Sequence, residues 1–222
     1  MLTRIAQFWG LGQGWALAAA ILLLLAAVVF VLAGARLAWI DARTKLLPNR
    51  IVFPWAWAAG ALLLAACLCA GLAVREVHWF AYAPLSGQAI SPGGFIVTGT
   101  PGSAEFERSL DEQLGELAAP IAGIWGLRVL AGGALSWLGY FLLRVVYPRG
   151  MGFGDVKLAG VLGLYLGYLG WWPMLLGPLV AFILGGVFSA VLLVTRKATR
   201  TSHIPFGPFM ITGAALVMLL PV

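Results

Sequence analysis

The chain has 222 residues, of which 62% are hydrophobic and 10% charged, and its mean hydropathy is +0.97. A soluble core needs far less apolar sequence, so these values exclude an ordinary soluble domain and place the chain among membrane proteins. The net charge of +6 does not point to nucleic acid, because the 14 Lys and Arg sit in small clusters between apolar runs rather than in one patch.

Taken in chain order, the apolar runs predict an all-α polytopic membrane protein with six transmembrane helices, both termini outside and one extracytoplasmic polar insert. Span 1 covers residues 15–39, and Arg36, within a turn of its end, can snorkel to the interface. A secretory signal competes with this reading through the small residues Ala33, Gly34 and Ala35, but the run outlasts a usual signal core. Arg36, Arg43, Lys45 and Arg50 cluster after it, so the positive-inside rule puts Asp41 on the cytoplasmic side. The connection from Asp41 to Asn49 is short. Pro48 opposes helical geometry at Leu47, Asn49 is suited to cap span 2 (residues 51–74), and Pro54 falls in that span's first turn. Cys67 and Cys69 lie inside this span, too few and too dry for a four-ligand zinc site, and read as packing residues.

Residues 75–117 form the polar insert. Arg75 and Arg108 face six acids there, and from Ser103 the positions Phe106, Leu110, Leu114 and Leu117 predict a short amphipathic helix. Span 3 covers 118–147, with Arg128 at the outer interface and Arg144 and Arg149 at the inner end. Span 4 covers 156–170 and has a small face of Ala159, Gly160, Gly163 and Gly167, expected to press its start toward span 1. Spans 5 and 6 cover 173–195 and 204–222, separated by Arg196, Lys197 and Arg200.

The acids are unevenly spread. Of eight Asp and Glu, the insert holds Glu76, Glu105, Glu107, Asp111, Glu112 and Glu116, leaving only Asp41 and Asp155 elsewhere. Span parity puts these two on one side at similar depth. The bland reading of Asp155 is a helix N-cap. The sharper one is a pair of carboxylates sharing a proton, the ionised member taking a proton from water while the neutral one donates to a peptide carbonyl. Gly152 and Gly154 remove side chains beside Asp155, which would let a substrate backbone come close. No Ser/His/Asp set, zinc-protease helix or P-loop competes with this chemistry.

Three separated blocks carry a family resemblance: Ile40-Asp41 with Leu47-Pro48-Asn49, Gly150-Met-Gly-Phe-Gly-Asp-Val-Lys-Leu158, and Ile204-Pro-Phe-Gly-Pro-Phe209. Over roughly residues 30–60 and 145–215 the chain resembles the type IV prepilin peptidases, bacterial membrane aspartyl proteases of the GxGD type. The resemblance implies that Asp41 and Asp155 are the catalytic pair of one membrane peptidase domain, 1–222. It implies removal of short basic leaders from prepilin or pseudopilin-like membrane proteins, at the cytoplasmic face of the inner membrane and in contact with the lipid bilayer. It implies no cofactor and no nucleic acid, and leaves oligomeric state open. Larger bifunctional members carry a cysteine-tetrad zinc segment before the first Asp; here the N-terminus leads into span 1 without it, so the resemblance is to a short form and puts N-methylation in doubt.

Other residues keep two readings. Lys157 either biases the charge of the pair or anchors span 4 at headgroups. Pro205, Gly207 and Pro208 either shape a substrate entrance or interrupt span 6. His203 reads as interfacial; with Asp41 and Asp155 it could offer hard metal ligands, but nothing in the spacing demands a metal. Two rivals stand beside the leader peptidase: a presenilin-like intramembrane protease, which would need its acids within spans, and a proton-coupled six-span transporter, which would need them near the midplane.

Overall fold

The computed structural model describes residues 1–11, 14–44, 47–76, 104–148, 151–196 and 205–220, with only the backbone described at 10–11, 74–76 and 104–122. These residues form helices only: α1 (Leu2–Leu11), α2 (Gly14–Thr44), α3 (Asn49–Glu76), α4 (Ala104–Val146), α5 (Phe153–Leu169), α6 (Trp171–Val194) and α7 (Gly207–Leu219). Four stretches are long and apolar enough to cross a membrane: all of α2, Asn49–Ala73 of α3, Gly123–Val146 of α4, and α6. The chain is thus an all-α, multi-pass membrane protein.

The expected boundaries shift in several places. Two of the six expected spans are short helices: α5 has 17 residues and α7 has 13. At 1.5 Å per residue they reach about 26 and 20 Å, short of the roughly 30 Å hydrocarbon core. Span 1 does not stop at residue 39; α2 continues through Asp41 to Thr44, whose hydroxyl donates to the Ile40 carbonyl at 2.9 Å. Helix α3 starts at Asn49, with the Pro48 carbonyl accepting from the Ile51 and Val52 N–H groups, so Pro54 falls in the second turn rather than the first. The short helix expected from Ser103 is fused to span 3 as one 43-residue helix. Most of the polar insert, 77–103, lies outside the described residues, as do Lys45, Arg149, Gly150, Lys197, Arg200 and His203. Helix α1 was not anticipated. Leu2, Ile5 and Phe8 recur at helical spacing between Thr3, Arg4 and Gln7, and Ile5 and Phe8 pack on the core.

Helix α5 is the hub, packed against α3, α4, α6 and α7. It is apolar all round and most of it is buried, as expected of a helix surrounded by others. Its glycine face meets α4 rather than span 1. A Cβ on Gly163 would come within 2.6 Å of the Ser136 Oγ, and one on Gly132 within 2.7 Å of the Gly167 Cα, so the two backbones touch. On another side, Tyr165 ties three helices: its hydroxyl accepts from the Trp55 indole N–H and donates to the Ala26 carbonyl, both at 3.1 Å. Phe30 packs edge-on against both rings. Every polar atom of that contact is paired, as an apolar surrounding requires.

Candidate active site

Asp41 belongs to the buried face of α2 and not to a connection after it. Phe30, Gly34, Leu37 and Asp41 follow helical spacing and all point inward. The carboxylate is 3% exposed, and its Oδ2 accepts the N–H of Gly207 at 3.1 Å, from the first residue of α7. A Cβ at Gly207 would lie 2.7 Å from that same oxygen, so only glycine lets the α7 backbone come this close.

Asp155 stands in the first turn of α5, two residues past its start, and is 8% exposed. It is therefore at N3 and not at the N-cap; its Oδ2 accepts the Gly152 N–H at 3.1 Å, as the acid of a capping box does. The space beside Gly154 is already filled. A Cβ there would meet the Leu47 side chain at 2.9 Å, so this glycine receives the α2–α3 link rather than a substrate backbone.

The two acids are brought together from the end of α2 and the start of α5, close enough for the Asp41 charge to act on Asp155. Asp155 precedes the apolar body of α5 and lies outside the four membrane-crossing stretches. Burial first, and then the Asp41 charge, push its carboxyl up to about 6, against the Gly152 N–H that pulls it down. A carboxyl so placed stays protonated at pH values where an ordinary one is ionised, which suits one member of an acid/base pair.

The supporting residues divide. Lys157 donates to Oδ1 of Asn49 at 2.8 Å and lies over the rings of Phe53 and Phe153, so it clamps the start of α5 to the start of α3. Asn49 thus receives a lysine, not a helix N–H. Arg144 stacks on Phe153 from α4, at 4.8 Å from the ring centroid. Pro48 and Pro208 both serve helix starts: Pro48 through its carbonyl, Pro208 as the second residue of α7, with its carbonyl accepting the Thr212 hydroxyl. Pro205 is half-buried just ahead of α7. Of the three entrance candidates, Gly207 is the one in contact with an acid.

One residue escaped the sequence reading. Tyr140 of α4 is buried, stacks on Phe182, and its hydroxyl feels the charge of Asp155. The available signal was its place, a phenol inside the apolar run of span 3, whereas Tyr147 stands at that span's end. A cavity of about 10 Å³ adjoins it between α4, α5, α6 and α7, room for at most one water. Among the described residues, no group of three His, Cys, Asp or Glu is placed to hold a metal ion.

Comparison with known proteins finds partial sequence matches. Over 97 residues the chain is 33% identical to a prepilin leader peptidase/N-methyltransferase of Stutzerimonas stutzeri. The chain is similar to type IV prepilin peptidases. That match covers 43% of this chain and 32% of the relative. A prepilin leader peptidase/N-methyltransferase of Pseudomonas aeruginosa is 31% identical over 84 residues, 37% of this chain and 28% of its own length. Leader peptidase HopD of Salmonella typhimurium is 37% identical over 94 residues, 39% of this chain and 54% of its own length. The chain therefore spans well under two thirds of the curated relatives it matches. No family model matches it, and no solved structure gives a significant match.

Proposed function

We propose that this chain is a membrane aspartyl endopeptidase that removes the short basic leader from type IV prepilin-like or pseudopilin-like proteins. The observation that carries the proposal is the meeting of the chain's two isolated acids, Asp41 and Asp155, in one buried site at helix ends. The sequence similarity to prepilin and HopD leader peptidases supports it. In this reading the neutral Asp155 donates to the scissile carbonyl oxygen while ionised Asp41 takes a proton from the attacking water, and the roles reverse as the tetrahedral intermediate collapses. The Gly207 N–H holds Asp41 in register through both steps.

Basic residues at the same ends of the helices, Arg43, Arg50, Arg144 and Lys157, support a site at the cytoplasmic face of the bacterial inner membrane. On this topology α5 and α7 cross together with the four longer stretches, the bundle thinning the bilayer around them, and six crossings leave both termini outside. Acids at helix ends favour cleavage at the membrane surface over the presenilin-like and transporter alternatives.

The test is co-expression with a prepilin and measurement of leader removal by mass, comparing wild type with Asp41→Asn and Asp155→Asn at matched membrane levels. Cleavage ahead of the apolar helix that both substitutions abolish is the expected result. Near-normal turnover in either variant would overturn the two-acid mechanism.

A further inference from the structure

At the far end of the bundle lies a second cluster of polar groups, unrelated to the aspartates. Arg4 of α1 lies 4.7 Å from the Trp125 ring centroid, and Arg128 of α4 lies 5.9 Å from the same ring. Tyr168, near the end of α5, meets that indole edge-on with centroids 6.2 Å apart. Thirteen residues of helix separate it from Asp155, about 20 Å along the axis.

The cluster is unsatisfied. Nε and Nη2 of Arg128 and the hydroxyl of Tyr168 are buried without a hydrogen-bond partner, and Tyr168 is fully enclosed at 0% exposure. The charged and titratable groups acting on Arg128 are Arg4, Cys67 and Tyr168, so among the described residues no carboxylate balances the two guanidinium groups. Arg128 is half-buried as a whole, with Nε and Nη2 turned into the bundle. Buried N–H donors left unpaired are costly, and a half-buried cation beside a second cation adds to that cost. Such an arrangement is favourable when an anion with several acceptor oxygens enters it.

We propose that Arg4, Arg128 and Tyr168 form a binding site for a phosphate-type oxyanion. Guanidinium forks and a phenol hydroxyl match its acceptor geometry, and arginine takes phosphate oxygens in pairs. The same chemistry is offered by the headgroup of an anionic phospholipid and by free phosphate. Exposed Ile124 and Leu127 stand next to Trp125 and Arg128 on α4 and would accommodate acyl chains.

The experiment uses the full chain, purified in neutral detergent. Retention of phosphatidylglycerol against phosphatidylcholine is followed by native mass spectrometry, and melting temperature is followed with and without inorganic phosphate. Wild type should gain stability from at least one of the two anions, and Arg128→Gln should weaken that response about tenfold or more. Tyr168→Phe should weaken it to a smaller extent. Without any anion, Arg128→Gln should melt at the same temperature as wild type or higher, because the substitution removes an unpaired charge. Preference for phosphatidylglycerol without a phosphate response identifies the lipid as the source, and a phosphate response without lipid preference identifies the free ion. If neither anion distinguishes wild type from Arg128→Gln, or if Arg128→Gln is the less stable protein in anion-free detergent, the site does not exist.

Discussion

Substituting Gly207 by Ala isolates the contact between α7 and Asp41. The added methyl would sit 2.7 Å from Oδ2 and 3.3 Å from Cγ of Asp41. That is roughly half an ångström short of a tolerable carbon–oxygen contact, and both neighbours are packed, so either the carboxylate or the start of α7 must yield. Yielding stretches the Gly207 N–H bond to Asp41, a charge-assisted bond worth about 1.5–3 kcal/mol. A misplacement of about 1 Å at a reacting group costs on the order of 100-fold in rate, so half of that, with a loosened bond, predicts a 10- to 100-fold loss of kcat. Leader cleavage would be timed at saturating prepilin, with Gly186→Ala as control, since a Cβ at Gly186 meets nothing within 4 Å. Gly186→Ala should leave cleavage unchanged. If Gly207→Ala cleaves within threefold of that control while folding normally, the α7 contact plays no part in holding Asp41 and the reasoning fails.

Further predictions concern charge and packing. With Asp155 raised to about 6, its proton is present below that pH and lost above it, so kcat/KM should fall about tenfold per unit on the alkaline side. A profile flat from pH 5 to 9 would contradict the role given to that proton. Gly163→Leu should drive a side chain into Ser136 and the α4 backbone and destabilise the protein by about 3 kcal/mol or more, read as a lower midpoint in denaturing detergent. Lys157→Met and Asn49→Ala should each lower stability slightly and be non-additive, because both remove the same 2.8 Å bond. Strict additivity would return Lys157 to the role of a headgroup anchor.

The sequence carried the class of fold, because hydropathy is a property of the chain taken in order, and it singled out the two acids that the bundle brings together. It misjudged the end of the first crossing. Arg43, Lys45 and Pro48 look like punctuation, yet the inward stripe Phe30, Gly34, Leu37 continues to Asp41, and counting in steps of three and four would have extended the helix. The glycine face of α5 was legible as a packing surface, but its partner was not. Gly132, Gly133 and Ser136 are the matching small face, and their pairing is a tertiary choice that a single helix does not reveal. Tyr140 was missed, and Gly207, named as an entrance candidate, could not be matched to Asp41, since each matters through a residue far away in sequence. Leu47 against Gly154 reverses the expected reason for that glycine: the room was made for the chain itself.

The bond between Gly207 and Asp41 joins residues 166 positions apart. Asp41 leaves the ribosome early, with α2, whereas the backbone amide that fixes it arrives only with α7. During synthesis, insertion of the first six helices yields a chain holding both acids but lacking the group that aligns one of them. Docking of the last short helix is then the step that completes the surroundings of Asp41.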